Sequence, residues 1–163
     1  MNPEVKLNPE LDLMLDRVVP ITPEQAFAGW TQPELITQWF TPKPWRTPEA
    51  RVDLRPGGEF YTRMEGPDGE SFDGTGCWLE IVPNSRIVWT SALGPEFRPV
   101  MVSEDLPFTF TATVMFDPVP EGTRYRVVLR HCTPEARTQH DEMGFTSGWG
   151  AALDQLVELM QSR

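Results

Sequence analysis

In LDLMLDRVV, residues 11–19, Leu11, Leu13 and Leu15 alternate with Asp12 and Asp16. A period of two predicts a strand with one face turned to a core. The pattern changes at ITPEQAFAGW. Thr22 stands as an N-cap, Pro23 takes the first helical position and Gln25 completes a capping box. TQPELITQWF repeats the device with Thr31 and Glu34, so two short helices in succession are predicted. FTPKPWRTPEA carries prolines at 42, 44 and 48, which cut regular structure short. The pentapeptide TPEAR recurs at 133–137, but one copy leads into alternation and the other into helix, so it marks no repeat.

From 50 to 92 the alternation is that of a meander. EFYTRM and ESFDGTGCWLEIV flank EGPDG, whose Pro-Asp-Gly predicts a hairpin turn. VPNSR then turns into IVWTSA. After the long connection 93–107, strand 108–116 puts Phe108, Phe110, Ala112, Val114 and Phe116 on one side and mostly threonines on the other. A sheet with one buried and one wet face follows. In 124–131, Tyr125, Val127, Leu129 and His131 share a face opposite Arg124, Arg126 and Arg130. The closing segment predicts one helix over about 134–161, capped by Thr133, with Phe145, Trp149, Ala152, Leu156 and Met160 as its apolar stripe. It is an odd helix, because Gly144, Gly148 and Gly150 each cost an interior roughly 1 kcal/mol relative to alanine. The sum is an α+β layer arrangement: six or seven antiparallel strands, two short helices after the first, and a long helix across one face. The whole of 1–163 is expected to form one domain, with 1–10 a loose lead-in.

Composition narrows the class. Hydrophobic residues at 39% and charged residues at 23% are ordinary for a globular domain. The opening MNPEVKLNPELDLML lacks the basic-then-apolar order of a secretory leader, and no apolar run approaches the about eighteen residues of a membrane span. A cytoplasmic protein is expected. A net charge of −10, from 14 basic and 24 acidic residues, argues against nucleic acid and membrane surfaces as partners. Cys77 and Cys132 lie far apart without a CxxC, so neither a disulfide framework nor a zinc knuckle is predicted.

Four segments, QWF after the two short helices, VDLRPGGEF, DGTGCWLEIVPNSRIVWT and GFTSGWGAALDQL, together resemble the helix-grip, START-like superfamily (SRPBCC, birch-pollen-allergen-like). Within it the sequence is most similar to the group homologous to the activator of heat-shock protein 90 ATPase, over about residues 11–160. The resemblance implies a curved sheet gripping the terminal helix with a cavity between them. Small residues at 144, 148, 151 and 152 would then admit a close backbone approach or leave volume beside the helix. Its members include ligand carriers, polyketide cyclases and cochaperone domains, so it does not fix an activity. The cochaperone has a further N-terminal domain for which this length has no room.

No GxSxG, HExxH, Walker or GxGxxG pattern is present, and no cofactor or metal is expected. RPGGEF precedes a strand, so Gly57–Gly58 predicts a tight turn or bulge. Projected on a continuous helix, Glu142 points inward with the stripe and His140 outward. His131 with Glu142, or with Tyr61, is therefore the candidate acid–base set, and His131, His140 and Asp141 do not converge on a metal. The expected cavity lining is Trp39, Phe60, Trp78, Trp89, Phe108, Phe110, His131, Phe145 and Trp149. FRPVMV within 93–107 supplies apolar residues for a lid or an interface. Three functions follow: a carrier of a hydrophobic or amphipathic small molecule, a cyclase- or hydrolase-like enzyme, and a chaperone-associated module. A homodimer is compatible with each.

Overall fold

A computed structural model describes residues 1–104 and 106–163. In chain order the elements are β1 (Asp12–Val19), α1 (Pro23–Thr31), α2 (Pro33–Trp39), β2 (Arg46–Val52), β3 (Glu59–Glu65), β4 (Ser71–Val82), β5 (Arg86–Thr90), β6 (Leu93–Gly94), β7 (Arg98–Pro99), β8 (Phe110–Val119), β9 (Gly122–His131), α3 (Pro134–Glu142) and α4 (Phe145–Gln161). Seven strands form one antiparallel sheet in the order β1-β9-β8-β5-β4-β3-β2, and β6 pairs with β7 apart from it. Helices α1, α2 and α4 share a core with one face of the sheet.

Local chemistry accounts for most element ends. Thr22 and Gln25 form the capping box of α1. Thr31 does not start α2. It ends α1, its hydroxyl donating to the Phe27 carbonyl at 2.8 Å, because Pro33 takes the first helical position and leaves Gln32 at the cap. Gly69 turns the β3–β4 hairpin at φ 88°, and Gly57 adopts φ 85° in the turn before β3. Strand β2 begins at Arg46, earlier than its prolines predict. It lies at the sheet edge with a register irregularity between Arg46 and Glu49, where Pro48 removes no needed donor.

The face toward the helices carries Leu13, Leu15, Phe60, Trp78, Trp89, Ala112, Val114, Phe116, Tyr125, Val127 and Leu129, and α4 answers with Phe145, Ala152, Leu153, Leu156 and Met160. Burying each large apolar side chain contributes about 1.5–3 kcal/mol. The close approach of α1 to α4 depends on Gly29, where a Cβ would fall 2.4 Å from Leu156 Cδ1. Gly148 and Gly150 are different. Among the described residues, a Cβ on either meets no atom within 4 Å beyond its own turn of helix backbone.

Three expectations change. The segment 134–161 is two helices, because Gly144 adopts the left-handed conformation (φ 94°), ending α3 and opening α4. The lead-in is not loose at its start. The Asn2 amide donates to Asp117 Oδ1 (2.8 Å), and the Pro3 carbonyl accepts from Arg126 (3.2 Å), covering the buried Arg126–Asp117 pair (2.6 Å) on the outer face. Burial works against ionisation of Asp117, but the Asn2 amide and the Arg126 guanidinium hold its carboxyl below the usual range. The connection 93–107 contains the small β6–β7 hairpin. Its Phe97, Met101 and Val102 are exposed rather than packed over the core.

Candidate functional site

The layer between sheet and helices is lined with aromatic rings. Phe60, Trp78 and Trp89 come from three adjacent strands, since Phe60 on β3 lies beside β4, and Trp78 on β4 is the direct partner of Trp89 on β5. Cross-strand partners share a face, which is why all three point the same way. Phe60 stacks on Trp78 (4.7 Å) and meets Trp89 edge-on (5.0 Å). From Trp89 a circuit of contacts runs to Phe110 (5.4 Å), His140 (4.9 Å), Phe145 (6.0 Å), Trp149 (5.6 Å) and Trp30 (6.2 Å), then back to Trp89 (6.3 Å). Phe108, Phe110 and Trp149 are only partly buried, so the circuit reaches the surface on that side.

The indole N–H groups divide into two kinds. Trp30 donates to the Tyr125 hydroxyl and Trp39 to the Gly29 carbonyl, each at 2.8 Å. Those of Trp78 and Trp89 are buried and have no acceptor among the described residues. Burial also raises the Tyr125 phenol, which stays protonated.

At one end of the circuit lie two histidines. His131 Nδ1 is 2.9 Å from the Leu11 carbonyl, and its Nε2 is 2.9 Å from Nδ1 of His140. Burial lowers the pKa of His131, and burial together with the neighbouring His131 pushes that of His140 down to about 4. Both rings are therefore neutral at pH 7.

Residue by residue, Trp39, Phe60, Trp78, Trp89, Phe145 and His131 are buried in this layer, and Phe108, Phe110 and Trp149 stand at its margin. The proposed acid–base partners are elsewhere. Glu142 is exposed, because the break at Gly144 turns α3 relative to α4 and brings His140 inward in its place. Tyr61 lies on the outer face, next to inward Phe60, where its hydroxyl donates to Asp73 (3.1 Å) and Arg51 covers its ring at 3.8 Å. Neither reaches His131. His140, which the helical projection turned outward, is the residue sequence reasoning missed. Its signal was Ala136 and His140 at i, i+4 on α3 alone, both buried. No three His, Cys, Asp or Glu side chains converge for a metal among the described residues.

Two open depressions flank β1, and one of them shares Phe145 with this layer. One of about 640 Å³ lies among Leu7, Asp12, Leu13, Arg137, Asp141 and Phe145. The other, about 290 Å³, lies among Arg17, Val18, Pro20, Asp154 and Val157. No helix is long and apolar enough to cross a membrane among the described residues.

Comparison with known proteins places this architecture. A protein from Nitrosomonas europaea is 45% identical and superposes with a TM-score of 0.90, over 96% of this chain and 97% of that one. A Rhodobacter sphaeroides protein matches at TM-score 0.83 and 22% identity over 98% and 99% of the two chains. An AHSA1-like protein from Aeromonas hydrophila matches at 0.66 and 22%, over 93% of each. The two more distant likenesses show the fold alone. No curated protein matches. The sequence pattern of one family covers residues 20–161, and with that span and the close Nitrosomonas relative the chain belongs to the Activator of Hsp90 ATPase homolog 1-like family, a START-like group.

Proposed function

We propose that this protein binds a small, largely apolar molecule in the aromatic layer between the sheet and α4, and that an oxygen acceptor on this molecule is held by Trp78 and Trp89. The observation that carries the reading is the pair of orphaned indole N–H groups on adjacent strands. Buried donors are rarely left without a partner, and each one left so costs about 1–3 kcal/mol. One ligand oxygen, or two close together, removes that cost. Entry is by way of the partly buried Phe108, Phe110 and Trp149, whose rings move aside for it. Family membership adds a second reading, a chaperone-associated module, which rests on the family's name and is tested by pull-down with a heat-shock protein 90 homologue. The cytoplasm is the compartment we assign to either role.

Native mass spectrometry of protein freshly isolated from its own host tests the first reading. A mass excess that disappears on unfolding is expected, and Trp89→Phe is expected to carry less of it. Wild-type protein at its bare sequence mass, with no fluorescence response to any apolar probe, would contradict the reading.

A further inference from the structure

Among residues 1–10 the one buried side chain is Asn2. Its polar groups are all engaged. The backbone N–H and Nδ2 both donate to Asp117 Oδ1 (2.8 and 3.0 Å), Nδ2 also donates to the Ser85 carbonyl (2.9 Å), and Oδ1 accepts from Arg86 (2.6 Å). Each of the next two residues is held by a further arginine. Arg126 donates to the Pro3 carbonyl (3.2 Å), and Arg124 donates to Glu4 Oε1 (2.8 Å). Three arginines of β5 and β9 thus grip three successive residues. Beyond them the grip stops. Val5, Lys6 and Leu7 make no hydrogen bond among the described residues, and bonding resumes at Asn8, whose N–H donates to Asp12 Oδ2 (2.8 Å). Residues 1–4 are therefore joined to β1 through a bare connection.

What they cover is costly to bury. The side chains of Arg126 and Asp117 are 1% and 2% exposed. The Arg126 Nε is buried with no acceptor among the described residues. Taking an ion pair out of water carries a desolvation penalty that its own attraction does not always offset, and an unsatisfied donor adds to it. Two effects thus oppose each other at one place. The hydrogen bonds of Asn2 draw the segment down, and the dehydrated pair beneath favours lifting it.

We propose that residues 1–4 are a strap that opens and closes as a unit, hinged at 5–7 and latched by Asn2. Opening admits water to the Arg126–Asp117 pair and releases Arg86, Arg124 and Arg126 from residues 2–4. It leaves the sheet intact, because the β1–β9 ladder begins only at Asp12. The device lies on the outer face, away from the aromatic layer, and does not depend on the ligand reading above.

Native-state hydrogen exchange followed by NMR tests it on the whole chain, at the Asn2 backbone amide, the Arg126 Nε–H and the Val127 amide of β9. In wild-type protein the first two are expected to share one protection factor, about a hundredfold below that of Val127, as for a local opening. Urea well below the unfolding midpoint should leave both unchanged. Asn2→Ala is expected to cut the protection of Arg126 Nε–H about tenfold while the Val127 amide still exchanges more slowly than it. An Arg126 Nε–H as protected as Val127 would mean that the pair is uncovered only by global unfolding, and overturns the inference. So would protection factors for Asn2 and Arg126 that differ by more than about tenfold, since the strap would then not move as a unit. Unchanged protection of Arg126 in Asn2→Ala overturns the assignment of the latch. The wild-type measurement decides alone where the variant does not fold.

Discussion

Four buried tryptophans meet in one layer, and two kinds of environment hold them. Trp30 and Trp39 stand on α1 and α2, and each indole N–H has an acceptor at 2.8 Å. Trp78 and Trp89 stand on β4 and β5, and neither has one among the described residues. All four rings are buried in the same core, so hydrophobic burial alone does not distinguish them. Polar satisfaction does. The helical half of the layer is completed by the protein itself, through Tyr125 and the Gly29 carbonyl. The strand half keeps two buried donors without an acceptor among the described residues, and in the proposed reading a ligand supplies it.

The largest effect expected from this contrast concerns Trp30. Trp30→Phe removes buried volume and orphans the Tyr125 hydroxyl, and urea unfolding should show a loss of about 3–4 kcal/mol. Trp89→Phe removes similar volume but also an unsatisfied donor, so a loss of about half that is expected. Equal losses would erase the distinction between the two halves.

Acid sharpens the comparison at the histidine end. The His140 pKa is lowered on folding from 6.5 to about 4, so between those values the unfolded chain binds the proton that the folded chain refuses. Stability therefore falls as pH drops through this window, by roughly 2–3 kcal/mol, and is insensitive to this group above pH 7. Chemical denaturation from pH 7 to pH 4 measures it, and His140→Phe should flatten the dependence. A dependence unchanged in the variant assigns the loss to other groups.

The smallest effect is a gain. Alanine fits at Gly148 and Gly150, where a Cβ meets nothing within 4 Å. Each substitution should stabilise α4 by about 0.5–1 kcal/mol. The same change at Gly29 should destabilise, since the added carbon strikes Leu156. Thermal melts of the three variants distinguish the two kinds of glycine.

Most of the fold was legible where a local rule met no competitor. The alternation of Leu13 and Leu15, the Thr22–Gln25 box and the Gly69 turn each depend on residues within a few positions. The inward placement of Phe60, Trp78 and Trp89 was legible too, because alternation fixes which face a strand residue takes. What the sequence concealed depended on a break in phase or on contacts far along the chain. A single left-handed residue at Gly144 exchanged Glu142 for His140, because a helical projection carried through it accumulates the wrong rotation. The Asn2 amide reaches Asp117 across 115 residues, and nothing near Asn2 announces that partner. The orphaned indoles are likewise invisible in a sequence, where a tryptophan's partner is unspecified.

Of the six indole N–H resonances, the most direct test follows those of Trp30, Trp39, Trp78 and Trp89, in protein as isolated from its host and again after unfolding and refolding away from any small molecule. On stripping, the signals of Trp78 and Trp89 should shift upfield and exchange faster with solvent, while those of Trp30 and Trp39 hold their positions. Four signals that stay in place, or four that move alike, would contradict the claim that the strand tryptophans are donors kept for a guest.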